Sequence, residues 1–519
     1  MNHLPHISRR TLLAQGALTA LALQNRSLLA LSPATPSIVD APCGALKGES
    51  VDGVRIFRGV PFAQPPVGPL RFRPPTPIKP WLGERDATRF GASPMQWNES
   101  SAPGEGPITH SEDCLYLNIW APQRKGPFPV FVWIHGGGFT GGHASEPIYD
   151  GSEFTREGIV VVTVEYRLGV FGFLEVGMIL GGEYNGAANN ALRDLILSLE
   201  WIQTNIFAFG GDPGRVTIGG ESAGAKLGDM LMGISSAQPL FHQMISESGG
   251  AERIWSEVDA RMAATAFGRL WMEQSKTDIS GLKTAAAERI VQTQHEFMEG
   301  YPYHFPLRPE VDGGLIPALP LWTIRHGSTR GKRLLIGTNR DESALFIGPH
   351  PTSDPTPKDL GNLSVAKFEP ALERYKVTYP DMTDSERRIR AVTAEEYWIP
   401  SIRVADAHLQ GGGDAFMYRL DFSESSGRLG GFAYHSLDVP LVWDRPHRDP
   451  ANAAAEARLA KQIHLAWAAF IRGESPAAPG LPAWPQYSTP TRPTMILDTQ
   501  SRVEDKPAEA ELRLWDGAL

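Results

Sequence analysis

Only two cysteines, Cys43 and Cys114, occur in 519 residues, too few for a disulfide scaffold. One bond between them is open, and free thiols that pack as small hydrophobes are the plainer expectation. No run approaches the roughly 20 uninterrupted apolar residues of a membrane-spanning helix. Nucleic-acid binding requires a basic patch that this chain lacks, and a formal net charge of −9 disfavours an anionic surface as partner. Internal repeats and low-complexity blocks are missing too. Neither H-E-x-x-H nor a cysteine cluster is present to hold a metal, so no metal or cofactor is expected.

Residues 1–36 contain no Asp or Glu, and they include Ser8-Arg9-Arg10-Thr11-Leu12-Leu13 at the head of a mildly apolar run at 12–23. A paired arginine ahead of a short apolar region resembles a bacterial twin-arginine export signal. Gln15, Gly16 and Thr19 dilute the run, which is too short to span a bilayer. The segment holds three of the 49 basic residues, so its removal, expected between Ala22 and Ala34, takes the net charge to −12. The remainder, 37–519, is expected to form one domain, exported to the periplasm or beyond. Replacing Arg9 and Arg10 together with lysine should then leave folded protein in the cytoplasm, because cargo of this route folds before transport. Fractionation showing the variant exported as well as wild type would point to an ordinary secretory signal.

What the chain does contain is short β-branched apolar runs alternating with helical patterns. Runs at 129–134, 159–164, 215–218, 333–336 and 415–420 have strand length. Between them, 191–205 puts Leu192, Leu195, Leu199 and Ile202 on one helical face, and 453–471 aligns Leu459, Ile463, Trp467 and Phe470. The alternation predicts an α/β fold: a large, mostly parallel sheet flanked by helices, with chemistry outside the carboxyl ends of the strands.

Gly220-Glu221-Ser222-Ala223-Gly224 is the sole G-x-S-x-G, and it follows the strand ending at Ile218 and precedes an apolar stretch at 227–232. In a strand-to-helix turn this tight the serine is held strained above the sheet, and small residues two positions to either side avoid clashes. Ser222 is therefore the candidate nucleophile. A β-lactamase-type site needs Ser-x-x-Lys, whereas Ala225 stands at that position and Lys226 comes one residue late. His135-Gly136-Gly137-Gly138-Phe139 follows the strand ending at Ile134. Its glycines let amides turn toward a developing oxyanion, and Gly137 and Gly138 with Ala223 are the candidate donors. Gly136, Gly138 and Gly141 also fit G-x-G-x-x-G, but a dinucleotide site needs a helix to open there. His143-Ala144-Ser145-Glu146-Pro147 does not supply one.

Longer stretches resemble the type-B carboxylesterases, the family of cholinesterases and para-nitrobenzyl esterases with the α/β-hydrolase fold. These are Glu112-Asp113-Cys114-Leu115-Tyr116-Leu117-Asn118-Ile119, Phe209-Gly210-Gly211-Asp212-Pro213 with the serine pentapeptide, and Tyr166-Arg167-Leu168-Gly169-Val170-Phe171-Gly172-Phe173. The resemblance, from about Gly44 to about Trp484, implies a serine hydrolase of small-molecule carboxylic esters with a Ser-Glu-His triad and an acyl-enzyme. Gly337-Thr338-Asn339-Arg340-Asp341-Glu342 matches the family's acid-bearing run, which implies Glu342 as the acid, with Asp341 as the fallback. His435-Ser436-Leu437-Asp438-Val439-Pro440 matches its histidine segment and implies His435 as the base. An amidase or peptidase on the same fold, or an inactive adhesion protein of this family, are the alternatives; the latter typically lack a triad residue. The cysteine that many relatives place opposite Cys114 is missing from Gly91-Ala92-Ser93-Pro94-Met95, so that disulfide is expected to be absent and the loop at 93–111 less tethered. Lys226 and Glu247 also depart from the family pattern, and an ion pair between them is one arrangement open to them. Trp97, Trp255 and Phe346 are possible pocket walls.

Overall fold

The computed structural model describes residues 34–97, 108–449 and 451–517, so Arg9, Arg10 and the run at 12–23 lie outside the described residues. The strands are β1 (Thr35–Ala41), β2 (Gly44–Val51), β3 (Val54–Pro61), β4 (Tyr116–Pro122), β5 (Phe128–Ile134), β6 (Val160–Val164), β7 (Gly211–Glu221), β8 (Gln243–Glu247), β9 (Arg333–Asn339), β10 (Asp414–Leu420), β11 (Pro493–Leu497) and β12 (Arg502–Asp505). They form one sheet in the order β1-β2-β3-β4-β6-β5-β7-β8-β9-β10-β11-β12, with a short strand Glu84–Asp86 added on β2. The pairs from β6 through β11 are all parallel. Antiparallel strands close both edges, with β1 to β4 on one side and β12 on the other. β1 begins at Thr35, two residues before the start expected for the domain.

Four of the five apolar runs fall within a strand, and the run at 159–164 begins one residue before β6. The run at 215–218 is only the centre of β7, which continues through Gly219-Gly220 to Glu221 and delivers the chain straight to Ser222. Strand alternation divides the core into two layers. Val130, Val132 and Ile134 face one cluster, where the helix α1 (Asn190–Asn205) packs through Leu192, Leu195, Leu199 and Ile202. Phe131 and Trp133 face the other, where they meet Trp443 and α3 (Ala453–Ile471), whose Leu459, Ile463, Trp467 and Phe470 are buried. The helix α2 (Ala223–Gly233), directly after Ser222, lies in the first layer. Among the described residues no helix is long and apolar enough to cross a membrane.

Cys43 and Cys114 are both buried and free. Burial pushes the Cys43 thiol up to about 11, so it remains protonated and unreactive near neutrality. The ends of the loop after Gly91 are tied without a disulfide, by pairing of Ser93–Pro94 with His110–Ser111.

Candidate active site

Ser222 sits at φ 54°, ψ −120°, a left-handed conformation that non-glycine residues rarely adopt. The fold holds it there through two main-chain bonds. Its N–H donates to Glu247 O at 2.9 Å, and its own carbonyl accepts from Lys226 N at 2.9 Å. The flanking glycines are required by β5. A Cβ on Gly220 would stand 2.6 Å from Ile134 O, and one on Gly224 only 2.0 Å from it. The pentapeptide is thus a packing requirement of the strand-to-helix turn as well as a chemical one.

The glycine loop after β5 lies against this turn. A Cβ on Gly136 would come 3.3 Å from Ser222 Cβ, and Gly137 (φ 109°) and Gly138 (φ 62°) adopt backbone conformations suited to glycine. Tyr166 from the Tyr166-Arg167-Leu168-Gly169 run fixes the loop by donating its hydroxyl to His135 O at 2.7 Å, while Gly169 N donates to Phe139 O at 2.8 Å. Among the described residues no acceptor takes a hydrogen bond from the amides of Gly137, Gly138 or Ala223. The N–H groups of Gly137 and Gly138 on this loop, with that of Ala223 at the amino end of α2, are candidate donors to an anionic oxygen.

Glu342 and His435 come from loops beyond the carboxyl ends of β9 and β10, and the structure brings them together. His435 Nδ1 is 2.6 Å from Glu342 Oε2. Glu342 Oε1 accepts from Ser248 Oγ at 2.5 Å and from Asn339 N at 2.8 Å, so the carboxylate is fully occupied and immobile. Asp341 turns elsewhere, accepting from Arg340 Nε and from Ala433 N. His435 Nε2 lies 3.1 Å from Glu221 Oε1, on the residue before Ser222, and no hydrogen bond joins it to Ser222 Oγ. Ser436 Oγ donates to the same Glu221 oxygen at 2.6 Å. Burial alone would lower the imidazole's pKa, but the carboxylates of Glu221 and Glu342 outweigh it and raise it to about 9. Burial raises Glu221 to about 7, against the opposing pull of His435. Asp438, raised to about 6 by burial and by Glu342, accepts from Tyr418 Oη and Asn339 Nδ2 under the site.

Sequence reading did not single out Ser248 or Glu221. Ser248 stands next to Glu247, which departs from the family pattern, but its meeting with the acid depends on the left-handed turn that follows β8. Lys226 and Glu247 do not form the ion pair considered above. Alternation along β8 sends Ser246 toward α2, where its hydroxyl donates to Asp229, and sends Glu247 through the sheet to accept from Trp467 Nε1 at 2.8 Å. Lys226 stays on the α2 side. Of the suggested walls, Phe346 lies 5.1 Å from the His435 ring, with Tyr397 4.7 Å from the same imidazole. Trp255 donates its indole N–H to Pro306 O, and Trp97 stacks on His295 at 4.5 Å. Phe305 is a wall that sequence reading missed: its ring edge is 2.9 Å from where a Gly138 Cβ would be.

A model of the carboxylesterase family matches residues 35–515. The para-nitrobenzyl esterase of Bacillus subtilis (strain 168) is 34% identical over 493 residues, covering 92% of this chain and 98% of that protein. The fumonisin B1 esterase of Sphingopyxis macrogoltabida is 32% identical over 464 residues, covering 86% and 83%. Among solved structures, a PNB esterase superposes with a TM-score of 0.80 at 33% identity, covering 92% of this chain and 100% of that one. A Geobacillus stearothermophilus carboxylesterase gives 0.81 at 32% identity, covering 92% and 99%.

Proposed function

Because this chain belongs to the carboxylesterase family and is a carboxylic ester hydrolase, we propose that it works through a Ser222–His435–Glu342 triad and a covalent acyl-enzyme on Ser222. The observation that carries this reading is the Glu342–His435 Nδ1 bond at 2.6 Å, which sets the imidazole against the Ser222 turn. On substrate binding Nε2 exchanges Glu221 for Ser222 Oγ, since hydrogen bonds of unliganded sites commonly tighten only in the complex. Oγ attacks the ester carbonyl as Nε2 takes its proton. Glu342 keeps the ring oriented and stabilises imidazolium without itself being protonated. The amides of Gly137, Gly138 and Ala223 hold the tetrahedral oxyanion. Collapse breaks the bond to the alkoxide, which leaves with the proton from Nε2, and water releases the acid by the reverse steps. The test is a pre-steady-state burst of nitrophenolate from a p-nitrophenyl ester, one equivalent per enzyme, with mass spectrometry of the quenched sample. An acyl group on the Ser222 peptide supports the reading; an acyl group elsewhere overturns it. The paired arginines ahead of the run at 12–23 support the companion proposal that the enzyme acts after export.

Glu221 gives a pH test. The base works only when neutral, so kcat/KM rises as pH climbs through the imidazole's raised pKa. Glu221→Gln removes a carboxylate 3.1 Å from Nε2, which destabilises imidazolium and lowers that pKa. The acid limb of the kcat/KM profile should move to lower pH by about one unit. A limb that stays in place or moves upward would show that Glu221 does not hold the imidazole proton.

A further inference from the structure

Four residues past Ser222, on the same helix, Lys226 is 1% exposed and forms no ion pair among the described residues. Its terminal amino group lies instead among three main-chain oxygens, Gly249 O at 2.7 Å, Glu396 O at 3.3 Å and Ser248 O at 3.4 Å. It donates to backbone acceptors and to no carboxylate. The neighbouring carboxylate of Glu396 is engaged by Arg253. Burial, aided by Arg253, lowers the Lys226 amine to about 7.

Each of these carbonyls belongs to a segment that touches the base or the acid. Ser248 donates its hydroxyl to Glu342. Gly249 continues the same turn, in which Ser248 (φ 56°) and Gly250 (φ 120°) are left-handed. Glu396 precedes Tyr397, whose ring lies 4.5 Å from Lys226 Nζ on one side and 4.7 Å from the His435 ring on the other. The helix grips the turn a second time through Asp229, whose Oδ2 accepts from Gly250 N at 2.7 Å and from Ser246 Oγ at 2.9 Å. The Lys226 amino group on the carbonyls and the Asp229 side chain on the N–H side therefore clamp the Ser248 turn to the helix that carries the nucleophile.

We propose that Lys226 is a positioning residue: its amino group ties the Ser222 helix to the Ser248 turn and to Tyr397, and so sets the Glu342–His435 pair in register with Ser222. The proposal rests on the triad assigned above and deepens it. Lys226 touches no reacting atom; it acts through Ser248 and Tyr397.

The experiment compares Lys226→Met, which keeps length without donors, with Lys226→Gln, which keeps neutral donors. Thermal unfolding and circular dichroism establish that each is folded. With p-nitrophenyl acetate, Lys226→Met should lose about 10- to 100-fold in kcat, the scale of a small misplacement of reacting groups, while KM stays within about threefold. Lys226→Gln should recover most of that loss. The downfield proton of the Glu342–His435 bond, observed by NMR, should be shifted or broadened in Lys226→Met and partly restored in Lys226→Gln. A folded Lys226→Met with wild-type kcat and an unmoved resonance overturns the proposal, as does a Lys226→Gln no better than Lys226→Met. Should Lys226→Met fail to fold, Lys226→Ala, which also lacks donors, decides: a moved resonance with a loss of kcat supports the proposal, and wild-type values of both overturn it. Loss of the resonance in His435→Ala is the control. If wild type shows no such resonance, or His435→Ala keeps activity, it is the triad assignment that fails.

Discussion

Ser222→Ala should lower kcat toward p-nitrophenyl esters by about 10⁴- to 10⁶-fold, because the remaining oxyanion donors and binding contacts still act on an attacking water. The burst of nitrophenolate should vanish with it. The fold should be untouched. Among the described residues Ser222 Oγ makes no hydrogen bond, and its main-chain bonds to Glu247 and Lys226 survive in alanine. The strain of φ 54° is the same for both residues. Loss of an unpartnered hydroxyl at a strained position should leave Tm equal or slightly raised, as is common where function and stability compete. A purified, folded variant that retains more than about a hundredth of wild-type kcat would remove Ser222 from the chemistry.

His435→Ala should cost about as much as Ser222→Ala, since a serine hydroxyl without its base is a poor nucleophile. Glu342→Gln should cost somewhat less, about 10²- to 10⁴-fold, because it keeps the shape but removes the charge that supports imidazolium and the tautomer that presents Nε2. Adding His435→Ala to Ser222→Ala should cause little further loss, which distinguishes one working unit from independent contributions. Asp341→Asn should remain close to wild type, because Asp341 accepts from Arg340 and Ala433 rather than from the imidazole. The measurements are kcat/KM for the singles and the double, with circular dichroism as the folding control. A crippled Asp341→Asn beside an active Glu342→Gln would move the acid by one residue. An active His435→Ala would mean that another histidine serves as the base.

Much of this was legible in the chain because it is enforced over a few residues. The Gly220 to Gly224 pentapeptide follows from steric necessity at one turn, where any Cβ on the flanking glycines would strike Ile134 O. Five of the parallel strands were legible as short apolar runs, since a strand covered on both faces has no polar side, whereas β8 and β11 were not read. The antiparallel edge strands β1 to β3 were not legible either, because half of each faces outward and the apolar signal is diluted.

Glu342 and His435 are separated by 93 residues, and the residues themselves carried only the implication that they should meet. Their meeting depends on β9 and β10 lying side by side in parallel, so that the loops leaving both carboxyl ends open toward the same place. The sequence by itself determined the strand-to-helix turn, the glycine loop and the layered class of the fold, all of which follow from local sterics and hydrophobic period. Only the tertiary structure decided which side chains surround the imidazole. Strand parity sent Glu247 to Trp467, and the left-handed turn after the strand put Ser248 on Glu342. The packing of α2 against that turn gave Lys226 three carbonyls in place of a carboxylate partner. Such neighbours are set by which face a residue occupies and what lies across it, a relation between distant segments that no local pattern encodes.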